Sequence, residues 1–228
     1  MIIGINGYAG SGKDTVGTII QYLKAKPQNT SLEDVLDFPL THQWWLEDMS
    51  TWEIKKWAGK LKSIASMLTG IDKSKFENQE FKKTNLGPEW DCNPVGKRGL
   101  GTSHKQPMTV REFLQRLGTD GLREGLHDNT WVNALMADYK AIDYNDDEQP
   151  EHPNWIITDT RFPNEAQAIK DAGGLVIRVD RPGVKPINDH PSEIGLDGWK
   201  FDYKIANVSD LKALTGTVEM ILLKENLL

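Results

Sequence analysis

An α/β fold, three-layered and built on a parallel sheet, is predicted by three stretches of this 228-residue chain. Met1-Ile2-Ile3-Gly4-Ile5 is a short apolar run that passes through a glycine-rich turn into a helical pattern beginning near Lys13. Trp155-Ile156-Ile157-Thr158 is a second apolar run, and Leu175-Val176-Ile177-Arg178-Val179 a third. Between those two, Pro163 to Ala172 reads as a helix closed by Gly173-Gly174. Strand, helix and strand in that order make a βαβ unit, whose natural assembly is a parallel sheet.

The turn after the first run is Gly7-Tyr8-Ala9-Gly10-Ser11-Gly12-Lys13-Asp14-Thr15. A strand, a glycine-rich loop and a lysine at the mouth of a helix form the layout of a phosphate-binding P-loop. Glycines let the backbone curl so that its N–H groups face phosphate oxygens, and the helix N-terminus adds partial positive charge. Lys13 supplies a mobile charge to the same place. Asp14 stands where the general motif has a hydroxyl for Mg²⁺. A carboxylate is still a hard oxygen ligand, direct or through water, but beside a triphosphate it needs the metal's screening, so strict metal dependence is expected. Thr15 lies about 100° further round the helix and is expected at an α-phosphate. The competing reading is a plain glycine-rich turn that binds nothing.

Bulk properties narrow the class. The chain carries 27 Lys+Arg against 33 Asp+Glu, a net charge of -6, so no global basic field attracts nucleic acid or an anionic membrane. Cys92 is the single cysteine, which excludes an internal disulfide and a multi-cysteine zinc site. No apolar run approaches the roughly 20 residues of a membrane span, and the N-terminus does not read as a signal peptide. A soluble cytoplasmic protein is expected.

Taken in order, Val16, Ile19, Ile20 and Leu23 keep helical spacing and predict an amphipathic helix ending before Pro27. Trp44, Trp45 and Leu46 are read as core. A strand-like stretch near Trp52 to Trp57 leads to a helix from Leu61 with Ile64, Ala65 and Leu68 inward, closed by Gly70. Glycines and prolines from 84 to 107 predict a long loop. Thr109-Val110-Arg111-Glu112 has capping-box spacing and starts a helix with Val110, Phe113, Leu114 and Leu117 inward, which Gly118 is expected to stop. A helix from about Asn129 carries Trp131, Leu135, Tyr139 and Ile142 on one stripe. Residues 181–200 hold three prolines around Arg181 and predict a movable loop. Ser209 is expected to cap a final helix with Leu211, Leu214, Val218, Ile221 and Leu222 inward.

Ligands of parallel α/β sheets gather at the carboxyl ends of the strands. Asp159 ends one such strand, which makes it a candidate for Mg²⁺ or an acceptor hydroxyl, or else a loop-capping aspartate. Phosphoryl transfer also needs cations, available in Lys62, Lys82, Lys83, Arg111, Arg161, Arg178 and Arg181. Arg111 lies in the first turn of a capped helix, where a cation opposes the dipole by about 0.3–1 kcal/mol, so another use is indicated. Arg181, beside Pro182-Gly183, has the context of a lid arginine. The histidines, His42, His104, His127, His152 and His190, have neither i, i+4 pairing nor cysteine neighbours, and no Gly-x-Ser-x-Gly elbow occurs.

Taken together, these residues resemble the deoxynucleoside monophosphate kinases of tailed bacteriophages, within the P-loop nucleoside monophosphate kinase group. The resemblance rests on Ser11-Gly12-Lys13-Asp14-Thr15, Ala58-Gly59-Lys60-Leu61-Lys62, and Arg111 to Asp120 with Trp131-Val132. It continues through Asp159 to Ala166, Arg181-Pro182-Gly183, His190-Pro191-Ser192-Glu193 and Ile205-Ala206-Asn207. Asp after the P-loop lysine is usual in that family. The resemblance implies transfer of the γ-phosphoryl group of ATP, with Mg²⁺, to a deoxynucleoside 5′-monophosphate. It implies a core of residues 1–30 and 150–228 with a lid at about 181–200, and a largely helical acceptor-binding insertion over 31–149. ATP would be held by Gly10, Ser11, Gly12, Lys13, Asp14, Thr15 and Asn207, with Asp14 at the metal. Lys62, Lys82, Arg111, Gly118, Thr119, Trp131, Asp159 and Arg161 would serve the acceptor, and Lys13, Arg111, Asp159 and Arg181 would act in the transfer. A homodimer is suggested by the family. Two alternatives stay open: a P-loop kinase for another small phosphorylated acceptor, and a nucleotide-dependent switch or ATPase module.

Overall fold

Ile2, Ile3 and Ile5 are wholly buried, and the strand that carries them, β1 (Ile2–Asn6), is the middle of five parallel strands. The computed structural model describes residues 1–25, 30–37, 46, 48–91, 106–144, 150–186 and 191–228. The sheet runs β2 (Trp52–Lys55), β5 (Asn154–Ile157), β1, β6 (Leu175–Asp180), β7 (Tyr203–Ala206). A separate antiparallel pair joins β3 (Asp143–Tyr144) to β4 (Pro150–Glu151).

Successive side chains of a strand face opposite sides, and β1 uses both. Ile3 and Ile5 enter a core with Val16, Ile19 and Ile20 of α1 (Lys13–Ala25) and Leu214, Val218, Ile221 and Leu222 of α8 (Leu211–Lys224). Gly4, between them, faces α6 (Pro163–Asp171): a Cβ there would lie 2.3 Å from Ile169 Cδ1. Helices therefore cover both faces, the three layers the sequence predicts. Leu32 of α2 (Leu32–Asp37) joins the same core. Gly17 lets α1 approach β5, since a Cβ would fall 2.5 Å from Thr158 Cγ2.

This sheet belongs to one of two compact units, Met1–Trp57 with Leu135–Leu228; the other is Ala58–Ala134. The units divide at Trp57 and Ala134, whereas the expected insertion spans 31–149, because β2 pairs with β5 and draws residues before Ala58 into the sheet.

In the second unit, α3 (Ala58–Thr69) ends at Gly70, whose φ of 69° is left-handed. Ala65 packs with Phe76, Met108, Val110 and Phe113, while Leu68, expected inward, is exposed. Thr109 caps α4 (Val110–Gln115) by accepting from Glu112 N–H at 3.2 Å. Gly118 does not stop this helix, which continues as a π-helical segment over Arg116–Glu124. The Gly118 carbonyl accepts from the Trp131 indole at 2.8 Å, so the chain needs no left-handed turn there. Leu86 N–H donates to Met108 O and Val110 N–H to Thr84 O, each at 2.9 Å, so backbone pairing closes the base of the loop predicted over 84–107.

Two further expectations change. Helix α5 (Thr130–Met136) ends before Tyr139, and Ile142 is exposed, so the predicted stripe stops at Leu135. Asp210, not Ser209, caps α8 by accepting from Ala213 N–H at 2.8 Å. In the 181–200 segment, α7 covers Pro191–Ile194. Leu46 is fully buried. Pro27, Trp44, Trp45, Cys92, His42, His104 and His190 lie outside the described residues. Among the described residues no helix is long and apolar enough to cross a membrane.

Candidate functional site

Gly12 has φ 96°, a conformation that favours glycine, and a Cβ there would strike Asn207 Nδ2 at 2.5 Å. Asn207 follows β7 and donates from that nitrogen to Ser11 O at 2.9 Å, so a strand two places from β1 holds the loop from outside. Gly10 also has positive φ, 85°, and Ser11 is buried, its hydroxyl without a partner among the described residues. Gly10, Ser11, Gly12, Lys13, Asp14, Thr15 and Asn207 thus form one assembly.

Asp14 is the charged centre of that assembly. Lys13 Nζ lies 2.9 Å from Asp14 Oδ2, Thr158 Oγ1 donates to Oδ1 at 2.9 Å, and Lys56 Nζ stands 3.8 Å from Oδ1. Register explains the meeting: Lys55 of β2 pairs with Ile157 of β5, so Lys56 and Thr158 leave adjoining strands together. Partial burial pushes the Asp14 carboxyl up, but Lys13, Lys56 and Thr158 together hold it below its ordinary value. The carboxylate stays ionised and more than half exposed. Such an oxygen suits a hard divalent cation whose other ligands come from phosphate and water. Thr158 and Lys56 were missed in the sequence reading; the signal was their position just past two strand ends.

A second group beside the loop surrounds Arg178, one of the cations picked out from the sequence. Arg178, 7 % exposed on β6, donates to Asn6 Oδ1 at 2.6 Å and to Asp180 at 2.8 Å, and its guanidinium lies 4.4 Å from the Tyr8 ring centre. Tyr8 Oη donates to Asp197 at 2.8 Å. Burial opposes the Arg178 charge, but its bonds to Asp180 and Tyr8 outweigh this and raise its pKa. The Tyr8 phenol is raised by burial and by Asp197, against the pull of Arg178. The side chain of Arg178 is thereby committed to the protein.

Asp159 accepts from Trp57 N–H at 2.8 Å, which is the loop-capping use of a strand-end aspartate. Arg161 is paired with Glu193 at 2.8 Å and donates to Ser192 O at 3.1 Å, tying the β5–α6 loop to α7. Arg181 is exposed, and its side chain makes no hydrogen bond or ion pair among the described residues.

In the second unit, Lys62 is buried and paired with Glu77, and Arg111 donates to Gln79 Oε1 at 3.0 Å. Lys82 donates its backbone N–H to Asn78 O at 3.2 Å. The side chains of two predicted acceptor residues, Lys62 and Arg111, therefore reach the stretch 77–79. Gly118 and Trp131 are bound to each other through the indole hydrogen bond, and Thr119 lies half-buried in the π-helical segment. Among the described residues no three His, Cys, Asp or Glu side chains cluster as a metal site.

A parallel three-layer sheet whose central strand ends in a P-loop defines the class: an α/β fold of the P-loop kinase type. Residues 97–218 match the family described as deoxynucleotide monophosphate kinase, and the chain belongs to that family. The deoxynucleoside-5′-monophosphate kinase of Escherichia phage T5 is 26% identical over 242 residues, covering 92% of this chain and 90% of its own. A protein of Acanthamoeba polyphaga mimivirus is 31% identical over 162 residues, 67% of this chain and 74% of its own. The deoxynucleotide monophosphate kinase of Enterobacteria phage T4 is 32% identical over 111 residues, 49% of this chain and 44% of its own. The matched residues begin beyond the P-loop and take in Arg111, Gly118, Thr119, Trp131, Asp159, Arg161, Arg181 and Asn207.

Proposed function

We propose that the chain transfers the γ-phosphoryl group of Mg·ATP to a deoxynucleoside 5′-monophosphate, giving the diphosphate and ADP. The observation that carries this reading is the P-loop carboxylate Asp14, kept ionised by Lys13 in a family of deoxynucleotide monophosphate kinases. Lys13 and the backbone of Gly10 to Gly12 hold the donor's phosphates, Thr15 adds its hydroxyl, and Asn207 keeps the loop in shape. Asp14 binds the metal, directly or through water; when bound, that ion neutralises phosphate charge.

Lys62, Lys82 and Arg111 bind the acceptor's phosphate, a role supported for Lys62 and Arg111 by side chains that meet the near neighbours Glu77 and Gln79. Trp131 fixes the Gly118 carbonyl and so shapes the segment that presents Thr119. Asp159 acts through Trp57, and Arg161 through its pairing with Glu193, as positioning residues of the acceptor side. Arg181 lies on the proposed lid and supplies charge to the transferring group. An acceptor phosphate oxygen attacks the γ-phosphorus as the bond to the ADP oxygen breaks. That oxygen is already anionic at neutral pH, so no general base is needed, and catalysis is alignment and charge neutralisation.

ADP release from Mg·ATP, measured with each nucleoside and deoxynucleoside monophosphate in turn and with no-acceptor and mevalonate phosphate controls, tests the reading. Strong stimulation by one or more deoxynucleotides is expected. A slow rate that no nucleotide stimulates would overturn it.

A further inference from the structure

Asp14 meets two ammonium groups, and only one belongs to the P-loop. Lys56 comes from the end of β2, a strand two places away from β1, and reaches Asp14 Oδ1 at 3.8 Å, the oxygen that also accepts from Thr158. Its backbone is held on both sides: Lys55 pairs with Ile157, and Trp57 is pinned by its N–H to Asp159 and its indole to Thr160 at 3.3 Å. These anchors set the Lys56 backbone where its ammonium meets the P-loop carboxylate. The lysine side chain is about one-third exposed, so its charge is accessible to a ligand.

We propose, resting on the kinase reading above, that Lys56 is a second lysine for the donor's phosphates, paired with Asp14 in the free protein and with phosphate oxygen in the nucleotide-bound one. Charge balance carries the step. Lys13 and Lys56 share the Asp14 carboxylate, and a carboxylate engaged with a divalent cation offers each lysine less. The phosphates arrive as fresh anions at the same place. Lys13 follows them by virtue of the motif; Lys56, tethered beside the same carboxylate, follows by geometry. An opposite charge within about 4 Å near a protein surface is worth several kcal/mol, which partial exposure reduces to an effect on the order of tenfold in affinity.

The test is calorimetric binding of ATP, ADP and AMP to the full chain, with Mg²⁺ and with chelator, in the wild type, Lys56→Ala, Lys56→Arg and Lys13→Ala. Lys56→Ala is expected to weaken Mg·ATP about tenfold, AMP much less, and to lower the salt dependence of ATP binding by roughly one ion. Lys56→Arg restores most of the affinity, and the thermal midpoint of both variants stays at the wild-type value. ATP affinity in Lys56→Ala within about twofold of wild type, or an equal loss for ATP and AMP, overturns the proposal while leaving the P-loop reading intact. If Lys13→Ala also binds ATP as the wild type does, the P-loop reading itself falls.

Discussion

Replacing Lys62 by methionine separates a binding cation from a structural one. Lys62 is 7 % exposed, and its partner Glu77 keeps about half of its side chain in water. Desolvating an ammonium costs several kcal/mol, and a half-exposed partner repays little because solvent screens the pair. Methionine keeps the length and packing of the stem without the charge, and the Glu77 carboxylate is already about half in water. Stability should therefore hold or rise by about 1 kcal/mol, a gain of about 2–4 °C in Tm for a chain of this size. If Lys62 grips the acceptor's phosphate, the variant loses a charge-assisted hydrogen bond worth about 1.5–3 kcal/mol. That is a rise of at least about tenfold in the deoxynucleotide KM. Calorimetric melting and steady-state kinetics with varied acceptor at saturating ATP measure the two effects. A Lys62→Met protein destabilised by about 3 kcal/mol with an unchanged acceptor KM would refute the reasoning and make the Glu77 pair structural.

Three further outcomes follow from the P-loop. Lys13→Ala should lower kcat by at least about 100-fold in a protein that melts normally, and near-normal turnover would remove the loop from the mechanism. Asn207→Ala loses the hydrogen bond to Ser11 O, a net cost of about 1 kcal/mol, and should raise the KM for ATP several-fold; unaltered ATP kinetics would exclude Asn207 as the clamp. Asp14, watched by carboxyl ¹³C NMR, should titrate below 3.8, and Lys13→Ala should move its midpoint up. Because its folded pKa is depressed, the stability it contributes is present above about pH 3.8 and lost as pH falls through the folded value. A midpoint above 3.8 in the wild type would contradict the charge arrangement.

The sheet was legible because its strands are mostly apolar runs: Ile2, Ile3 and Ile5 in β1, Trp155 to Ile157 in β5, and Leu175 to Ile177 in β6. Burial on both faces leaves such runs no polar alternation to confuse them with amphipathic helices. Helix ends were less legible, because tertiary partners decide them. Gly118 looks like a stop, but the Trp131 indole satisfies its carbonyl from 13 residues further on. Ser209 looks like a cap, yet the neighbouring Asp210 takes the bond from Ala213 N–H. The place of β2 was hidden for a similar reason: only pairing with β5 reveals that this four-residue strand belongs to the sheet.

The same distinction runs through the site. Motif residues whose spacing is local, Gly10 to Thr15, lie together whatever the rest of the chain does, because the loop and α1 fix them relative to one another. Residues brought by different strands could be named only as loose candidates, and the fold sorts them by what their side chains already hold. Asp159 is bound to Trp57 N–H, Arg161 to Glu193, and Arg178 to Asn6, Asp180 and the Tyr8 ring. A guanidinium so committed contributes to function by holding backbone in place, and releasing it for a ligand would leave a buried carboxylate or amide unpaired. Among the described residues Arg181 is under no such commitment, and it is exposed. Of the arginines in the first unit singled out from the sequence, it is the one whose side chain has no partner among the described residues, which agrees with the lid role proposed for it.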